Sequence, residues 1–396
     1  MNTSVLVVSQ LFYPELMSTG QTLTELCEAL AAEGIDVEVW AGQPSLQSPK
    51  ITCPKYMSHQ GIAIRRLPTT QFPKRYFWGK FINHLGFYVS LAMALILDRP
   101  KKPILVLTNP PLAAVVCALL NRLLGLKFVL LLFDLYPDTA ENVGVLNKTS
   151  LLSRIWRACN RLVFSRAERV IVIGRCMQNK VMSAYHLPAQ KLAMIPLWAD
   201  TQLLNPKQHV QKPIITVGYT GNMGRFHDMD TIMKAALELK ANPGIQFLFV
   251  GDGYRLPEMK AFAKKNSLDN CVFQDHVPRA ALPQLLHQLD MGLVSLMPGQ
   301  EGCSVPSKTF GLLASGLPVV AVIPAASEIA LILNENECGM IVEPGDVSGL
   351  SQAILRLASD VELRQKMGDK GHRCVVDSFR VSAAAKAYHQ LLKEVQ

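Results

Sequence analysis

The chain has 396 residues, a length that predicts two domains of about 200 residues rather than one core. Hydrophobic residues make up 49% of it and charged residues 18%, which excludes a disordered protein and favours large buried sheets. The nine cysteines are scattered without a CxxC pair, so they predict neither a disulfide framework nor a zinc site and favour a reducing, cytoplasmic compartment.

The net charge of +9 is unevenly distributed. Residues 1–205 contain 21 lysines and arginines against 12 aspartates and glutamates, whereas residues 206–396 contain 19 of each. This asymmetry predicts that the first domain faces an acidic partner and that the second does not.

No targeting or membrane-spanning segment is expected. The apolar run near the first residue lacks a basic flank and predicts a first β-strand rather than a signal peptide. The run Leu85–Leu97 is shorter than the roughly 18–20 residues that a bilayer span needs, and Pro110–Phe133 is interrupted by Arg122 and Lys127.

Predicted strands alternate with helices along the whole chain. In the first half the order is strand Val5–Ser9, helix Gly20–Glu33, strands Val37–Trp40 and Ile104–Thr108, helix Leu112–Leu124, strand Phe128–Phe133, helix Leu151–Arg166 and strand Arg169–Ile173. The second half continues with strand Ile215–Tyr219, helix Asp230–Leu239, strand Gln246–Val250, helix Pro257–Lys265, strand Cys271–Gln274, helix Ala280–Leu286, strand Met291–Ser295, helix Ser307–Ala314 and strand Val319–Val322.

This alternation predicts an α/β protein with two Rossmann-like domains and parallel sheets. The polar segment Leu203–Pro213 contains two prolines and is the expected linker. The predicted domains are therefore residues 1–205 and 206–375, followed by the C-terminal segment 376–396, in which Val381–Val395 is the predicted helix.

The glycine-rich segment Gly218–Arg225 is the strongest local pattern for ligand binding. It follows a predicted strand and precedes a helix, the place where open parallel sheets bind ligands. Gly221 and Gly224 permit close backbone approach, and the amides around Asn222, together with the helix dipole, favour a diphosphate. A plain strand-to-helix turn is the alternative.

Asp228 and Asp230 have the DxD spacing of a metal site. They also stand at a predicted helix start, where carboxylates cap the helix and complement its dipole. Capping is the favoured interpretation, so no metal is assigned.

A second helix start, Ser304–Lys308, also points to an anion. Pro306 suits a first helical turn, and the amides, the Ser307 hydroxyl and the Lys308 ammonium would converge on phosphate oxygens. The alternative is an ordinary capped helix with a solvated lysine.

Three other strand ends carry weaker candidates. Gly251 and Gly253 close one strand and Val277 follows another, at the rim where a nucleotide base would lie. Simple turns at these positions are the alternative. In the first domain Asp134 and Asp138 follow an apolar strand, where a carboxylate would handle the acceptor or cap a helix.

Together these segments, in this order, resemble the GT-B glycosyltransferases of family 4 over nearly the whole chain. The matching stretches are Thr22–Val39, Ala167–Asp200, Val217–Gly224, Phe249–Gly253, Val272–Leu282 and Ser304–Val320. Asp134–Pro137 and Val305–Lys308 are most similar to bacterial exopolysaccharide and O-antigen transferases of the colanic-acid type. The resemblance implies two domains facing a central cleft and retaining transfer from a nucleotide sugar, with UDP-sugar favoured over GDP-sugar and no obligatory metal or cofactor.

Residue chemistry and resemblance together assign the site. Catalytic roles fall to Lys308, Arg225, Asp134 and Asp138. Donor binding is assigned to Gly20, Gly221, Asn222, Gly224, Gly251, Gly253, Val277, Glu301, Ser304 and Ser307.

The chain departs from the family pattern at three places. Two glutamates of many relatives align with Cys303 and Gly311, a basic pair aligns with Asn222 and His227, and a first-domain histidine aligns with Phe133. Glu301 is the candidate replacement for the carboxylate that would bind the donor ribose.

The acidic partner is expected to be a membrane. Residues 65–102 combine basic residues with aromatics and an apolar run, and Arg154, Arg157 and Arg161 share a helical face, which fits adsorption to anionic lipid. A solvated face over a core helix is the alternative. A glycan or polyprenyl-diphosphate-linked acceptor would explain both features, at the cytoplasmic inner face of the membrane. No nucleic-acid-binding motif is found, so nucleic acid is not an expected partner.

Other functions remain open from the sequence. A GT-B nucleotide-sugar epimerase would bind the same donor without transfer. A catalytically idle scaffold would only bind nucleotide, and a docking subunit would supply acceptor to another transferase.

Overall fold

A computed structural model describes residues 3–15, 17–44, 52–72 and 77–396 of the chain, apart from the side chains of Phe77 and Lys80. The chain forms two compact units. Unit 1 comprises Met1–Pro137, Leu146–Pro196 and Val381–Gln396, and unit 2 comprises Asp138–Val145 and Leu197–Arg380.

Unit 1 is built on an eight-stranded sheet. Its strands are β1 Ser4–Ser9, β2 Asp36–Ala41, β3 Tyr56–His59, β4 Ile62–Arg66, β5 Ile104–Leu107, β6 Phe128–Leu132, β7 Arg169–Val172 and β8 Leu192–Met194. The order across the sheet is β3-β4-β2-β1-β5-β6-β7-β8, and only β3 and β4 pair antiparallel. Its helices are α1 Ser18–Ala32, α2 Phe77–Asp98, α3 Ala113–Leu124, α5 Leu151–Arg166, α6 Arg175–Tyr185 and α14 Val381–Val395.

The helices of unit 1 cover the sheet in two layers. α1 packs against α14, whereas α2 packs against α3 and α3 against α5. Right-handed crossovers explain the division, because α1 leads to a strand on one side of β1 while α2, α3 and α5 lead to strands on the other. The central strand β1 is buried from Val5 to Ser9, as a strand covered on both faces must be.

Unit 2 contains a six-stranded parallel sheet. Its strands are β9 Ile215–Thr220, β10 Ile245–Val250, β11 Cys271–Gln274, β12 Met291–Ser295, β13 Val319–Val322 and β14 Gly339–Val342, in the order β11-β10-β9-β12-β13-β14. Its helices are α4 Asp138–Asn142, α7 Met229–Glu238, α8 Leu256–Lys265, α9 Leu282–Gln288, α10 Lys308–Ala314, α11 Glu328–Glu335, α12 Val347–Ser359 and α13 Val361–Ser378. The chain changes direction across the sheet between β9 and β12, which makes the loops after these strands the expected ligand site.

The boundary between the units differs from the predicted one at residues 205 and 206. It falls after Pro196, because Ala199 already pairs with the end of α13 and its amide donates to the Phe379 carbonyl at 2.9 Å. The last helix is α14, Val381–Val395, as predicted, and it belongs to unit 1, where it packs against α1.

The short segment Asp138–Val145 also departs from the prediction, since it belongs to unit 2. The Gln300 side-chain amide donates to the Thr139 carbonyl at 3.0 Å, and Asn142 hydrogen-bonds the Gly299 carbonyl. One buried and one exposed hydrogen bond hold this segment to the loop after β12.

Helix α2 is longer than the apolar run predicted for it. Over Phe81–Asp98 its mean hydropathy is 1.5 and 33% of it is buried, so by length and composition this helix is able to cross a membrane, contrary to the expectation from Leu85–Leu97. The position of α2 in the fold argues against a bilayer crossing. α2 connects β4 to β5 of one sheet, so crossing a bilayer would require that sheet to come apart.

A buried carboxylate attaches the linker to unit 2. Asp290, which is fully buried, accepts hydrogen bonds from the Thr216 amide at 3.0 Å and from the ammonium groups of Lys212 at 2.9 Å and Lys207 at 3.3 Å. Burial alone would raise the pKa of Asp290, but the amide and the two lysines lower it below its ordinary value.

We predict that Asp290→Asn destabilises unit 2 by about 3 kcal/mol, because it leaves the part-buried Lys207 without its counter-charge. Since the folded pKa of Asp290 is depressed, this stability is present above the unfolded pKa of aspartate and is lost as pH falls through the folded pKa. Urea unfolding of the variant, beside the exposed control Asp269→Asn, measures the effect. Equal midpoints for the two variants at neutral pH would contradict it.

Candidate functional site

The loops after β9 and β12 meet the requirements of a ligand site at the switch point of unit 2. The first loop contains Gly221–Asp228 and leads into α7, and the second runs through Glu301–Ser307 into α10. The loop after β10, with Gly251 and Gly253, lies beside the first.

The glycine loops after β9 and β10 pack backbone against backbone. The Gly221 amide donates to the Val250 carbonyl and the Met223 amide to the Asp252 carbonyl, both at 2.8 Å. Gly251 has φ +131°, and a Cβ there would lie 2.3 Å from the Gly221 oxygen. Gly253 has φ +150°, and its Cβ would lie 2.5 Å from the Met223 carbonyl. These two glycines, predicted to contact a nucleotide, are needed first for the close approach of the two loops.

Backbone donors remain available beyond this packed segment. Among the described residues, the amides of Gly224, Arg225 and Phe226 donate no hydrogen bond within the protein. Three consecutive unsatisfied amides beside a helix start form a favourable place for anion oxygens.

The two aspartates after these amides cap and brace α7. Asp228 is the N-cap and accepts hydrogen bonds from the Thr231 amide at 3.0 Å and from the Thr231 hydroxyl at 2.5 Å. Asp230 forms an ion pair with Arg255 at 2.5 Å. The capping interpretation of this DxD spacing is therefore confirmed.

Lys308, the first residue of α10, places its ammonium over the ring of Tyr219. Nζ lies 3.5 Å from the ring centroid and 3.4 Å from the Asn222 carbonyl oxygen. In the described part of the chain this ammonium has no carboxylate within ion-pair distance. Desolvation lowers the pKa of Lys308 well below its ordinary value, although water moderates the effect because the residue is only part-buried.

Tyr219 and His227 form the floor beneath Lys308. Tyr219 is fully buried at the end of β9, and its hydroxyl donates to the Asn222 carbonyl at 3.1 Å. His227 Nδ1 lies 2.7 Å from the Ser295 carbonyl oxygen. Burial, followed by the nearby Lys308 charge, lowers the pKa of His227 to about 3. His227 is therefore neutral near pH 7, donates from Nδ1, and supplies no second cation.

Arg225 is held by an aromatic ring rather than by an acid. Its guanidinium carbon lies 3.2 Å from the ring centroid of Tyr254, in the loop after β10, and both side chains are exposed. A cation–π contact of this kind orients the guanidinium and leaves its charge uncompensated.

Sequence reasoning missed Tyr219 and Tyr254, the two rings that hold the predicted cations. Tyr219 lies inside the glycine-rich segment and Tyr254 directly follows Gly253, so an aromatic beside each glycine turn was the available signal.

The loop before α10 differs from its predicted role. α10 begins at Lys308, so Pro306 precedes the helix, and the Ser307 side chain makes no capping hydrogen bond. The amides of Cys303 and Ser304 both donate to the Gln300 carbonyl, at 2.9 and 3.3 Å, and are not available to a ligand. α10 has seven residues, so the lysine charge outweighs any helix dipole here.

Glu301 and Val277 lie at the rim of this edge. Glu301 is part-buried in the loop after β12 and interacts with other groups of the protein. Val277 follows β11, two strands away from β9, on the far side of β10.

The remaining predicted residues lie elsewhere. Gly20 is in the first turn of α1, where a Cβ would lie 3.1 Å from the Glu15 side chain. Asp134 follows β6 in unit 1, in a small pocket lined by Thr108, Tyr136, Trp156 and Asn160. Asp138 begins α4 and belongs to unit 2. The two aspartates are therefore divided between the units and form no single cluster within either.

The geometry defines a class of protein. Each unit is a Rossmann-like α/β domain, and the second carries two cations and three unsatisfied amides at its switch point, a combination suited to a diphosphate. This is the architecture of a GT-B glycosyltransferase.

Comparison with known families identifies the chain further. Residues 19–198 match the glycosyl transferase 4-like domain and residues 214–360 match the glycosyl transferases group 1 domain. The chain belongs to the GT-B glycosyltransferases of family 4, in the bacterial exopolysaccharide and O-antigen branch.

Individual relatives agree with this assignment. The chain is 30% identical to the probable glycosyltransferase WbjE of Pseudomonas aeruginosa over 68% of this chain and 69% of that protein. It is 27% identical to the putative colanic acid biosynthesis glycosyl transferase WcaI of Escherichia coli K12, over 89% and 92% of the two chains. The fold is shared with Anabaena HepE in complex with UDP-glucose, with a TM-score of 0.73 and 15% identity over 99% of this chain and 100% of that one.

With UDP as a probe of the candidate site, we predict that Gly251→Ala weakens binding more than tenfold, because its Cβ would push the Gly221 backbone away. The matched control is Gly345→Ala: Gly345 has φ +95°, but no atom lies within 4 Å of the position that a Cβ would take there. Both substitutions therefore carry backbone strain and only one carries a collision. Titration calorimetry measures both affinities. If both variants bind UDP equally well, the packing of the two loops is not what shapes the site.

We also predict proton uptake when a UDP-sugar binds, because the diphosphate returns the pKa of Lys308 towards its ordinary value. A sugar diphosphate has no phosphate proton that titrates near neutrality, so the protons are taken up by the protein. Affinity therefore falls as pH rises above the pKa of Lys308 in the unliganded protein. Calorimetry in buffers of different ionisation enthalpy detects the uptake, and Lys308→Met should abolish it. The same uptake in that variant would contradict the prediction.

Proposed function

We propose that the chain is a retaining glycosyltransferase that uses a UDP-sugar in preference to a GDP-sugar. Its acceptor is a glycan or polyprenyl-diphosphate-linked sugar in the synthesis of cell-surface polysaccharide or glycolipid, and no metal or cofactor is obligatory. The names of WbjE and WcaI support the reaction and its setting. The UDP-glucose bound by HepE supports the donor.

The observation that carries this proposal is the Lys308 ammonium without a carboxylate partner at the switch point of unit 2. A structural lysine in a part-buried position would be expected to pair with an acid, as Lys207 and Lys212 pair with Asp290. Lys308 instead packs on a ring and against the Asn222 carbonyl, in the loop that also contains the amides of Gly224–Phe226, and a diphosphate there would complete its charge pairing.

The mechanism follows from where charge develops. As the bond between the sugar C1 and the β-phosphate oxygen breaks, negative charge accumulates on that oxygen. Lys308, Arg225 and the three amides stabilise it more in the transition state than in the ground state. In a retaining front-face transfer the acceptor oxygen bonds to C1 on the face that the phosphate leaves, and the acceptor proton passes to the departing phosphate oxygen.

Neutral His227 fits this scheme. It adds no charge near the ammonium, and its hydrogen bond to Ser295 fixes the floor of the site. Asp134 and Asp138 act on the acceptor and do not stabilise the leaving phosphate. A carboxylate beside that phosphate would repel the negative charge that develops on it.

The proposed location is the cytoplasmic face of the membrane, with unit 1 adsorbed to anionic lipid. The charge surplus in residues 1–205 supports this location, and nucleic acid is not a proposed partner.

We predict that Lys308→Ala lowers turnover about 10²- to 10³-fold, equivalent to about 3–4 kcal/mol in barrier, as for other preorganised anion sites. The matched control Lys264→Ala, an exposed lysine on α8, should keep its activity. Product analysis with and without acceptor separates transfer from epimerisation. Unchanged turnover in Lys308→Ala would remove the basis of the proposed mechanism.

A further inference from the structure

The outer layer of unit 1 has an unusual surface. Of the 22 large hydrophobic side chains that are strongly exposed in the described residues, 13 lie on α2, α3 and α5. Because these helices pack in sequence, α2 on α3 and α3 on α5, their exposed side chains lie on one continuous helical layer.

Helix α2 is apolar on both faces. Its inner face packs into the unit through Phe87, Leu91 and Leu95, which are fully buried. Its outer face carries a second apolar stripe with helical spacing, formed by Trp78, Ile82, Leu85, Val89, Met93 and Ile96, each between 37% and 68% exposed. A helix whose outer face met only water would be polar there.

The neighbouring helices extend the stripe. α3 exposes Leu119 at 61% and Leu123 at 78%, and α5 exposes Leu151 at 72%, Leu152 at 54% and Ile155 at 51%. Contiguous exposed apolar surface of this extent marks an interaction site in a folded protein.

The charge on this layer is of one sign. Residues 77–132 and 146–166, which include the three helices, contain eleven lysines and arginines and a single carboxylate, Asp98. Asp98 is itself paired with Arg65. In the described part of the chain, Arg122, Arg154 and Arg161 take part in no ion pair and are exposed.

Several of the basic residues first expected to face lipid do not do so. Arg66 is 2% exposed and donates to the Gly42 and Tyr13 carbonyls, and Arg65 pairs with Asp98. Lys102 pairs with Asp36 and Glu38 on β2. Lys74 and Arg75 lie outside the described residues. Within residues 65–102 the exposed cations that form no ion pair among the described residues are Arg99 and Lys101, and further cations lie on α3 and α5.

We propose that the outer face of α2, α3 and α5 is a docking surface that inserts its apolar stripe into an anionic lipid monolayer, with Arg122, Arg154 and Arg161 at the headgroups. The proposal deepens, and rests on, the proposed function at the membrane. α2 then lies in the plane of the interface, which agrees with both of its ends leading into one sheet.

Charge complementarity selects lipid over a second copy of the chain. Two identical faces rich in arginine and poor in carboxylates would repel, whereas phosphate headgroups neutralise them. The apolar stripe supplies the energy of insertion, and the arginines supply the preference for anionic lipid.

The test is co-sedimentation of the full chain with vesicles of phosphatidylglycerol and phosphatidylethanolamine, beside vesicles of phosphatidylcholine. We expect Val89→Asp to weaken binding to anionic vesicles more than tenfold. Its matched control is Ile214→Asp in unit 2, since Ile214 is 49% and Val89 51% exposed. The pair Arg154→Gln with Arg161→Gln should weaken binding about fivefold per charge, and Lys264→Gln with Lys265→Gln should leave it unchanged.

A second measurement avoids any effect on folding. Trp78, 68% exposed at the start of α2, should be quenched by brominated lipid in the otherwise unaltered chain, with Trp78→Phe as the blank. The proposal is overturned if neither Val89→Asp nor the lipid charge changes vesicle binding. It is also overturned if brominated lipid does not quench Trp78 on bound vesicles. A third contradicting result is a dimer that forms without lipid and that Val89→Asp converts to a monomer, because a second copy of the chain then covers the surface.

UDP calorimetry on the same preparations separates this inference from the proposed function. Val89→Asp should bind UDP as the unaltered chain does. If a variant loses vesicle binding and keeps its UDP affinity, only the docking surface is affected. If the unaltered chain binds vesicles but neither binds UDP nor transfers sugar, the enzymatic proposal is refuted and the docking surface is retained.

Discussion

The candidate site depends on an ammonium group over a buried ring at the switch point of the second sheet, with no carboxylate of the described residues within ion-pair distance. Lys308 lies 3.5 Å from the centre of Tyr219, and desolvation lowers its pKa. Such a cation is stable only if something else supplies the missing charge. The strand order brings Lys308 to the loop after β9, where it contacts the Asn222 carbonyl and where the amides of Gly224–Phe226 are unsatisfied, so a bound anion is the natural completion.

The glycines around Lys308 serve mainly to let two loops of the protein pack closely together. Gly251 and Gly253 allow two loops to touch through their backbones, and that contact fixes the Gly221–Met223 segment beside Lys308. Tyr219 and Tyr254 then hold one cation each. The proposed phosphate site is therefore preorganised by backbone packing and aromatic support, and among the described residues no carboxylate lies within ion-pair distance of Lys308.

Local sequence patterns predict much of the fold and of the candidate site. Strand and helix periodicity indicated β9, β10 and β12, whose following loops form the candidate site in unit 2, and the helix-start chemistry of Asp228 correctly indicated capping of α7. The β3–β4 hairpin was missed, although its turn at Gln60 and Gly61, both with positive φ, has the residues that such turns need.

Contacts between distant segments were beyond sequence reasoning. Nothing local indicates that Thr139 binds Gln300, that Arg66 is buried, or that Lys308 lies on Tyr219. The basic character of residues 65–102 was evident, but the pairing of Arg65 with Asp98 and of Lys102 with Asp36 and Glu38 is a tertiary property that local sequence does not indicate.

The central claim concerns where the diphosphate binds, and a crystal structure of the chain with UDP tests it most directly. We expect the β-phosphate oxygens within about 3 Å of Lys308 Nζ and of the amides of Gly224–Phe226. A diphosphate seated elsewhere on the protein, with Lys308 still resting on Tyr219 and these amides facing water, would contradict the account.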